Sequence, residues 1–230
     1  MVTRALLSIA RDLRDDRELA ERICRACVAG LDVDGASISL YTTSPARQVL
    51  CATDATAELL EELQFTLGEG ACMQAAGTGR PVLVPDLNDA TETSQWPVFA
   101  AAAIEQADVA ALFSLPLQWG TINLGVLNLY RTAPGSLSGT QWRDAMSAAG
   151  TATLMLLGLH TDPGDRQWLD HSVHGRVEIH QATGMVVAQL GISAQNAFAR
   201  LRAYAFAEQR LLGEVAHDIV SRRLRFGEDT

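Results

Sequence analysis

Residues 109–130 read VAALFSLPLQWGTINLGVLNLY, and this stretch decides the fold because it holds two long apolar segments joined by a turn. Residues 109–117 and 122–130 are rich in Val, Leu and Ile, which favour buried strands. Trp119 and Gly120 lie between them, and glycine suits a tight turn. The stretch therefore predicts an antiparallel hairpin inside a sheet.

Weaker strand patterns lie on the N-terminal side of this hairpin. Residues 36–41 alternate like a half-buried strand, residues 48–53 can pair with it, and residues 81–84 form a short third strand. Apolar residues at helical spacing predict helices around these strands, at residues 5–31, 55–65, 92–107 and 138–160. Together these elements predict an α+β domain over residues 1–160, with a central antiparallel sheet flanked by helices.

A domain boundary is predicted at Thr161-Asp-Pro-Gly-Asp165, because Pro and Gly together stop a helix. The charge balance changes there: residues 1–165 carry ten Arg against twenty acidic residues, whereas residues 166–230 carry eight Arg against seven. The acidic first part should repel nucleic acid, so only the second part could approach it. We expect a linker, helical in part, over residues 161–172.

The C-terminal part predicts three helices at 166–190, 193–209 and 211–225, whose short links allow a compact three-helix bundle over residues 173–226. The first helix has two apolar faces, and the second face has heptad spacing. This face predicts a seam with a partner helix, and hence a homodimer, formed by Val173, Val177, His180, Gly184 and Val187. The alternative is that Gly184 is a tolerated helix glycine without a role.

Residues 20–160 resemble GAF domains in three motifs. Gly68-Glu-Gly70 is followed by Gly79-Arg-Pro-Val-Leu-Val-Pro-Asp-Leu87, and Gly125-Val-Leu-Asn-Leu-Tyr130 resembles the last strand of the family. The resemblance implies a sensor module for a small molecule or a redox signal, often dimeric and rarely an enzyme. Tyr41, Trp96, Phe99 and Phe113 are candidates to line a sensor pocket, although they serve equally well as core residues.

Residues 173–225 resemble the ANTAR domain. The resemblance rests on Gln181-Ala-Thr-Gly-Met185, on Ala197, Arg202 and Ala205, and on Leu212, Val215 and Ala216 in order. It implies an RNA-binding antitermination module that recognises paired hairpins in leader transcripts. Many members carry Lys where this chain has Thr183, and losing that cation removes a phosphate contact, or about one unit of salt slope.

Several residues are candidate RNA contacts: Gln181, Thr183, Arg202, Arg210, Arg222 and Arg223, with Arg225 beside the last two. Arg202 is the first choice because it matches the family's Leu-Arg pair. Its alternative role is a salt bridge or cap within the domain. The terminal arginines are equally explained as a solvated helix end, where cations interact favourably with the helix dipole.

These observations predict a non-enzymatic, cytoplasmic regulator whose GAF unit senses a signal and whose ANTAR unit binds RNA, with no membrane association. No metal site is indicated, because Cys24-x-x-Cys27 has no second pair of ligands, and the sequence leaves the cofactor unknown. Two alternatives stay open. One is a GAF-type enzyme that reduces free methionine sulfoxide through Cys51 and Cys72, and the other is a protein-interaction regulator whose ANTAR unit no longer binds RNA.

Overall fold

A computed structural model describes residues 16–41, 47–120, 122–159 and 174–227. The chain divides between residues 168 and 169 into two compact units, here called unit 1 and unit 2. Residues 5–15 of the predicted first helix, the predicted linker 161–172 and Val173 lie outside the described residues.

Unit 1 is built around one five-stranded sheet with strand order β2-β1-β5-β4-β3, in which all neighbouring strands are antiparallel. Its strands are β1 (Gly35–Tyr41), β2 (Arg47–Ala52), β3 (Val82–Val84), β4 (Ala111–Trp119) and β5 (Ile122–Arg131). Its helices are α1 (Asp16–Leu31), α2 (Ala55–Leu67), α3 (Ala71–Thr78), α4 (Ala90–Thr93), α5 (Pro97–Ala107) and α6 (Gly139–Leu159). The predicted α+β fold class is confirmed.

The hairpin predicted from residues 109–130 is the β4–β5 pair, which runs in register from Ala111 opposite Arg131 to Trp119 opposite Ile122. At Gly125 of β5, an added Cβ would collide with the backbone carbonyl oxygen of Ser39 in β1. The close approach of these two strands therefore requires a residue without a side chain.

Two helical segments differ from the prediction. The predicted helix 92–107 is two helices, because Pro97 occupies the first turn of α5 and the chain between Thr93 and Pro97 is not helical. Helix α3 was not predicted at all. It lies between Gly70 (φ 130°) and Gly79 (φ 65°), so both of its ends depend on glycine backbone conformations.

The two faces of the sheet differ in character. One face packs against α1 and α6 in a dry core that includes Ile23, Leu31, Phe113, Leu115, Leu127 and Ala148. The opposite face is covered by α2 and α3, and it carries the buried polar residues Ser37, Ser39, Ser114 and Asn128. In the described part of unit 1, a polar ligand that bound against the sheet would therefore find buried hydrogen-bonding side chains on this second face.

Unit 2 consists of α7 (His174–Leu190), α8 (Ala194–Ala207) and α9 (Leu212–Val220). Each helix contributes a buried stripe, and the stripes meet in one core formed by Ile179, Ala182, Val186, Ala197, Leu201, Ala205, Leu212, Val215, Ala216 and Ile219. Ser193 caps α8, since its hydroxyl accepts a hydrogen bond from the Asn196 amide at 3.2 Å.

The third helix of unit 2 ends at Val220, five residues before its predicted end. Arg222 adopts a left-handed conformation (φ 61°), and the amides of Arg223 and Leu224 donate to the Asp218 carbonyl at 2.7 and 3.1 Å. This turn directs Phe226 back onto the bundle, where its ring lies edge-on to Tyr204 at 5.3 Å. No helix in the described part of the chain is long and apolar enough to cross a membrane.

Candidate signal site and nucleic-acid interface

A buried carboxylate lies at the centre of the polar face of unit 1. Glu61 of α2 is 2% exposed, and its Oε1 accepts hydrogen bonds from the Ser37 hydroxyl at 2.5 Å and from the Asn128 amide at 2.6 Å. The Ser114 hydroxyl donates in turn to Asn128 Oδ1 at 2.7 Å. We call these four residues, contributed by α2, β1, β4 and β5, the Glu61 cluster.

A small cavity of about 10 Å³ adjoins the Glu61 cluster. Its lining includes three members of the cluster together with Gln64 and Tyr130. This volume suits about one water molecule. A larger ligand would require α2 to move away from the sheet, because the cavity lies between that helix and strands β1, β4 and β5.

The hydroxyl of Tyr130 borders the same region and donates to Asp54 Oδ1 at 3.0 Å. Burial, and then the hydrogen bond to Asp54, raises the pKa of Tyr130 to about 12. The same Asp54 oxygen caps α2 by accepting from the Ala57 amide at 2.8 Å. Tyr130 thus fixes the start of the helix that carries Glu61.

The three predicted pocket residues whose side chains are described do not come together. Trp96 and Phe99 are in contact, with ring centroids 5.7 Å apart, and the Trp96 indole donates to Gln74 Oε1 at 2.8 Å. Phe113 instead lies in the dry core on the α1–α6 face, where the Arg131 guanidinium is 5.7 Å from its ring. The side chain of Tyr41 lies outside the described residues. A pocket containing all four is therefore not formed, because alternate residues of β4 face opposite sides of the sheet.

The cysteines named for the enzyme alternative belong to different clusters. The Cys51 sulfur is 2.8 Å from the Cys24 sulfur in the dry core, whereas Cys72 packs against Val126 and has its sulfur 3.8 Å from the Ser39 hydroxyl. Burial raises the pKa of Cys27 to about 12, and burial followed by the hydrogen bond with Cys51 raises the pKa of Cys24. The two candidate cysteines therefore do not lie together in this structure, whereas reductase chemistry needs a nucleophilic and a resolving thiol in contact.

The first group of predicted RNA contacts lies on α7 and α8 of unit 2. Gln181 is exposed, whereas Thr183 is 9% exposed and donates its hydroxyl to the Ile179 carbonyl at 2.7 Å. Arg202 is half-buried on α8, and Phe206, one turn later, is 55% exposed. Thr183 is therefore buried and its hydroxyl is engaged within α7, which does not favour its predicted contact with RNA.

The second group lies around the C-terminal turn, where one carboxylate holds two of the arginines. Arg210 donates from Nη2 to Asp218 Oδ2 at 2.7 Å, and Arg223 donates from Nε to Asp218 Oδ1 at 2.7 Å. These arginines lower the pKa of the Asp218 carboxyl, Arg210 more than Arg223. Among the described residues, the exposed guanidinium groups of Arg222 and Arg225 form no ion pair.

The described seam residues of α7 lie outside the core of unit 2. His180 and Gly184 are exposed and Val187 is half-buried, while a Cβ placed on Gly184 would meet no described atom within 4 Å. The side chain of Val177 lies outside the described residues. This arrangement leaves a face on which a partner helix could pack, and the seam stays a prediction.

Sequence reasoning missed Glu61 and Asp218. Glu61 had a visible signal, because it lies on the same helical stripe as Leu60 and Gln64, where an acid is unexpected. Asp218 had none, since it is eight residues from Arg210 and five from Arg223, neither of which is the spacing of three or four at which helical neighbours contact, and both arginines lie outside α9.

Comparisons with known proteins agree with the division into two units. The family model described as "GAF domain" matches residues 14–156, and the model described as "ANTAR domain" matches residues 168–220. No protein among the curated proteins matches the chain.

Solved structures show the same fold as unit 1. A GAF domain of a phosphoenolpyruvate-protein phosphotransferase from Coxiella burnetii has a TM-score of 0.57 at 11% identity, covering 69% of this chain and 92% of that one. A domain of a putative two-component sensor histidine kinase from Sinorhizobium meliloti 1021 has a TM-score of 0.54 at 18% identity, covering 67% and 99%. A free methionine-R-sulfoxide reductase from Neisseria meningitidis has a TM-score of 0.51 at 15% identity, covering 68% and 86%. At these identities the likeness concerns the fold alone.

Proposed function

Because this chain belongs to the GAF domain family and carries an ANTAR domain after its GAF domain, we propose that it is a signal-responsive transcription antitermination regulator that binds hairpin leader RNA. The domain order supports a regulator with a sensory GAF domain and an RNA-binding ANTAR domain, and it suggests a protein that is not an enzyme. The proposal adds the process, the kind of RNA and the route by which the signal reaches the RNA.

The observation that carries the RNA part is the cationic C-terminal turn of unit 2. Arg222 and Arg225 are exposed there and pair with no carboxylate among the described residues, so their guanidinium groups can contact phosphates without first losing a partner. Phosphate contacts of this kind provide affinity and register but carry no sequence information. We therefore assign sequence reading to other groups, with the exposed Gln181 and the exposed ring of Phe206 as candidates for base contacts.

The signal part of the proposal rests on the Glu61 cluster. A ligand with hydrogen-bonding groups would replace the partners of Glu61 and Asn128 and would need space that the cavity lacks, so its binding would move α2. Transmission then needs an element with two discrete arrangements. We propose that α6, the last helix of unit 1, and α7, the first helix of unit 2, together act as this element and that the signal sets the separation of two ANTAR domains in a homodimer.

Crosslinking of the full chain to RNA in cells, followed by sequencing of the recovered RNA, tests this function. We expect enrichment of leader transcripts with paired hairpins, and a gel shift with those RNAs that weakens as salt increases. The double variant R222Q/R225Q should bind about tenfold more weakly at moderate salt, because two phosphate contacts are lost.

The matched control is R80Q/R143Q, which removes the same charge from exposed positions of unit 1 and should leave RNA binding unchanged. If the wild-type chain recovers no RNA above background, and shows no salt-sensitive gel shift with or without dimerisation, RNA is removed from the function. The protein-interaction alternative would then be favoured.

A further inference from the structure

The ion pairs at the C-terminal turn form a compact arrangement that the RNA-binding proposal does not explain. Arg210 lies in the loop before α9 and Arg223 in the turn after it, yet both guanidinium groups converge on Asp218 in the last turn of that helix. Each oxygen of the carboxylate accepts from a different arginine at 2.7 Å. Two guanidinium groups on two oxygens of one anion is also the geometry by which arginines hold a phosphate.

The surroundings of this carboxylate are open to solvent. A groove lined by Arg210, Gly213, Glu214, His217, Asp218 and Arg223 runs along the outer side of α9. Asp218 is the most enclosed charged group of the three, with 20% of its side chain exposed against 35% for Arg210 and 60% for Arg223. The arginines are therefore accessible from outside while their present partner lies behind them.

The groove as a whole is close to neutral in the free protein. Arg210 and Arg223 are balanced by Asp218 and Glu214, and the Arg210 Nε lies 3.8 Å from Glu214 Oε2. His217 is engaged with Glu178 of α7, with its Nδ1 3.2 Å from both carboxylate oxygens. A groove with this balance attracts an anion only if the anion takes the place of one of the internal carboxylates.

We propose that Arg210 and Arg223 form a phosphate-binding site which the Asp218 carboxylate fills in the RNA-free protein, and that a phosphate group of the RNA displaces it. This inference rests on the proposed RNA-binding function and adds the site and its built-in competitor. The exchange replaces one singly charged anion with another, and both arginines remain in contact with solvent, so breaking these ion pairs costs little. Asp218 thereby limits the affinity for RNA. A contact that turned the Asp218 side chain away from the arginines would raise that affinity.

Inorganic pyrophosphate tests the anion site without relying on RNA. The full chain, labelled with ¹⁵N, is titrated with pyrophosphate while the arginine Nε resonances are followed by NMR, in the wild type and in D218N and E208Q. In D218N the Arg210 and Arg223 resonances should saturate at about fivefold lower pyrophosphate, as expected for removing one unit charge about 4 Å away in water. Glu208 is exposed and does not line the groove, so E208Q should behave as the wild type.

The same variants are then compared on a hairpin RNA recovered by crosslinking. D218N should bind about fivefold more tightly than the wild type, and E208Q should bind as the wild type does. If D218N responds to pyrophosphate as predicted and no variant binds RNA, the RNA function fails while the anion site stands. If RNA binds to the wild type but D218N equals it for both ligands, the displacement proposal is overturned and the RNA function stands.

A measurement on the wild-type chain alone covers the case in which D218N does not fold. The ¹³C resonance of the Asp218 carboxyl should move when pyrophosphate saturates the arginines, because both arginine hydrogen bonds to it are then lost. An unchanged Asp218 resonance, while those of Arg210 and Arg223 move, would show that the anion binds without displacing Asp218 and would refute the inference.

Discussion

At the scale of single residues, the hydrogen-bond partners of a polar side chain in the folded protein determine which role that side chain can have. The Glu61 carboxylate accepts from Ser37 and Asn128 inside the sheet–helix interface. The Asp218 carboxylate accepts hydrogen bonds from Arg210 and Arg223, two arginines that the sequence alone predicts as RNA contacts. Thr183 stands where many ANTAR domains have Lys, and its hydroxyl donates a hydrogen bond to a backbone carbonyl of its own helix. In each case the side chain's partner, and not its type, decides what it can do.

Tyr130 provides a prediction for alkaline pH. Its pKa is raised from 10.0 to about 12, mainly by burial and then by the hydrogen bond to Asp54. A raised pKa in the folded state means that the stabilisation is fully present below the unfolded value, and is lost as pH rises from about 10 through about 12.

We expect Y130F to be less stable than the wild type at pH 8, because it loses the hydrogen bond to Asp54. Between pH 10 and pH 12 its free energy of unfolding should fall by less than that of the wild type, because it lacks the titrating hydroxyl. Urea unfolding at the three pH values measures this difference. A parallel decline of both proteins above pH 10 would contradict the assigned cause.

At the scale of elements, the periodicity of apolar residues predicted most helices and strands. Two of the differences between prediction and structure occur at glycine and proline residues. Helix α3 lies between two glycines with positive φ, and Pro97 divides the predicted helix 92–107 into α4 and α5. The third helix of unit 2 ends before its predicted end because Arg222 adopts a left-handed conformation, which the sequence does not predict for an arginine. The early end is what brings Arg223 back to Asp218.

Gly125 should be intolerant of any side chain because of the β1–β5 pairing. In G125A the new methyl group would collide with the Ser39 carbonyl oxygen, a backbone atom held by the strand pairing. We expect a loss of about 2–3 kcal/mol in the free energy of unfolding, in the range of overpacked cores. Denaturant unfolding measures it. The control is G77A in α3, where no described atom lies within 4 Å of the added Cβ and the change should be neutral or stabilising by up to about 1 kcal/mol.

Gly184 gives opposite expectations for one unit and for a dimer. In an isolated unit 2, G184A should stabilise α7 by up to about 1 kcal/mol, since the added methyl group meets no described atom. If the α7 seam packs backbone to backbone with a second copy, the same methyl group should weaken the dimer.

Analytical ultracentrifugation of the full chain across protein concentrations separates the two effects. We expect G184A to raise the dimer dissociation constant, while A188S, a substitution at an exposed position of the same helix, leaves it unchanged. A dimer dissociation constant for G184A equal to that of the wild type would argue against the seam.

At the scale of the whole molecule, charge is distributed unevenly along the chain. The formal net charge is −9, and residues 1–165 carry twice as many acidic residues as arginines. An overall negative chain does not attract RNA from a distance, so binding has to rest on a few local contacts.

The C-terminal turn of unit 2 offers Arg210, Arg222, Arg223 and Arg225 for this purpose. We expect log K for hairpin RNA to fall with log salt at a slope no steeper than about −4 per protomer, since each phosphate contact contributes about 0.9. Fluorescence anisotropy between about 50 and 200 mM salt gives the value. A slope near zero would mean that these arginines do not contact phosphates.

The sequence by itself determined the order of the elements apart from α3 and the division of helix 92–107, and it determined the β4–β5 hairpin, the presence of two units and the resemblance to two families. It did so because apolar periodicity, turn residues and motif spacing are local properties of the chain. Tertiary structure alone decided which side chains share a site. It separated Phe113 from Trp96 and Phe99, since the sheet has two faces and only helix packing assigns them. It also joined Arg210, Asp218 and Arg223, because a left-handed turn reverses the chain after α9. This turn brings together charged residues that are not three or four positions apart on one helix.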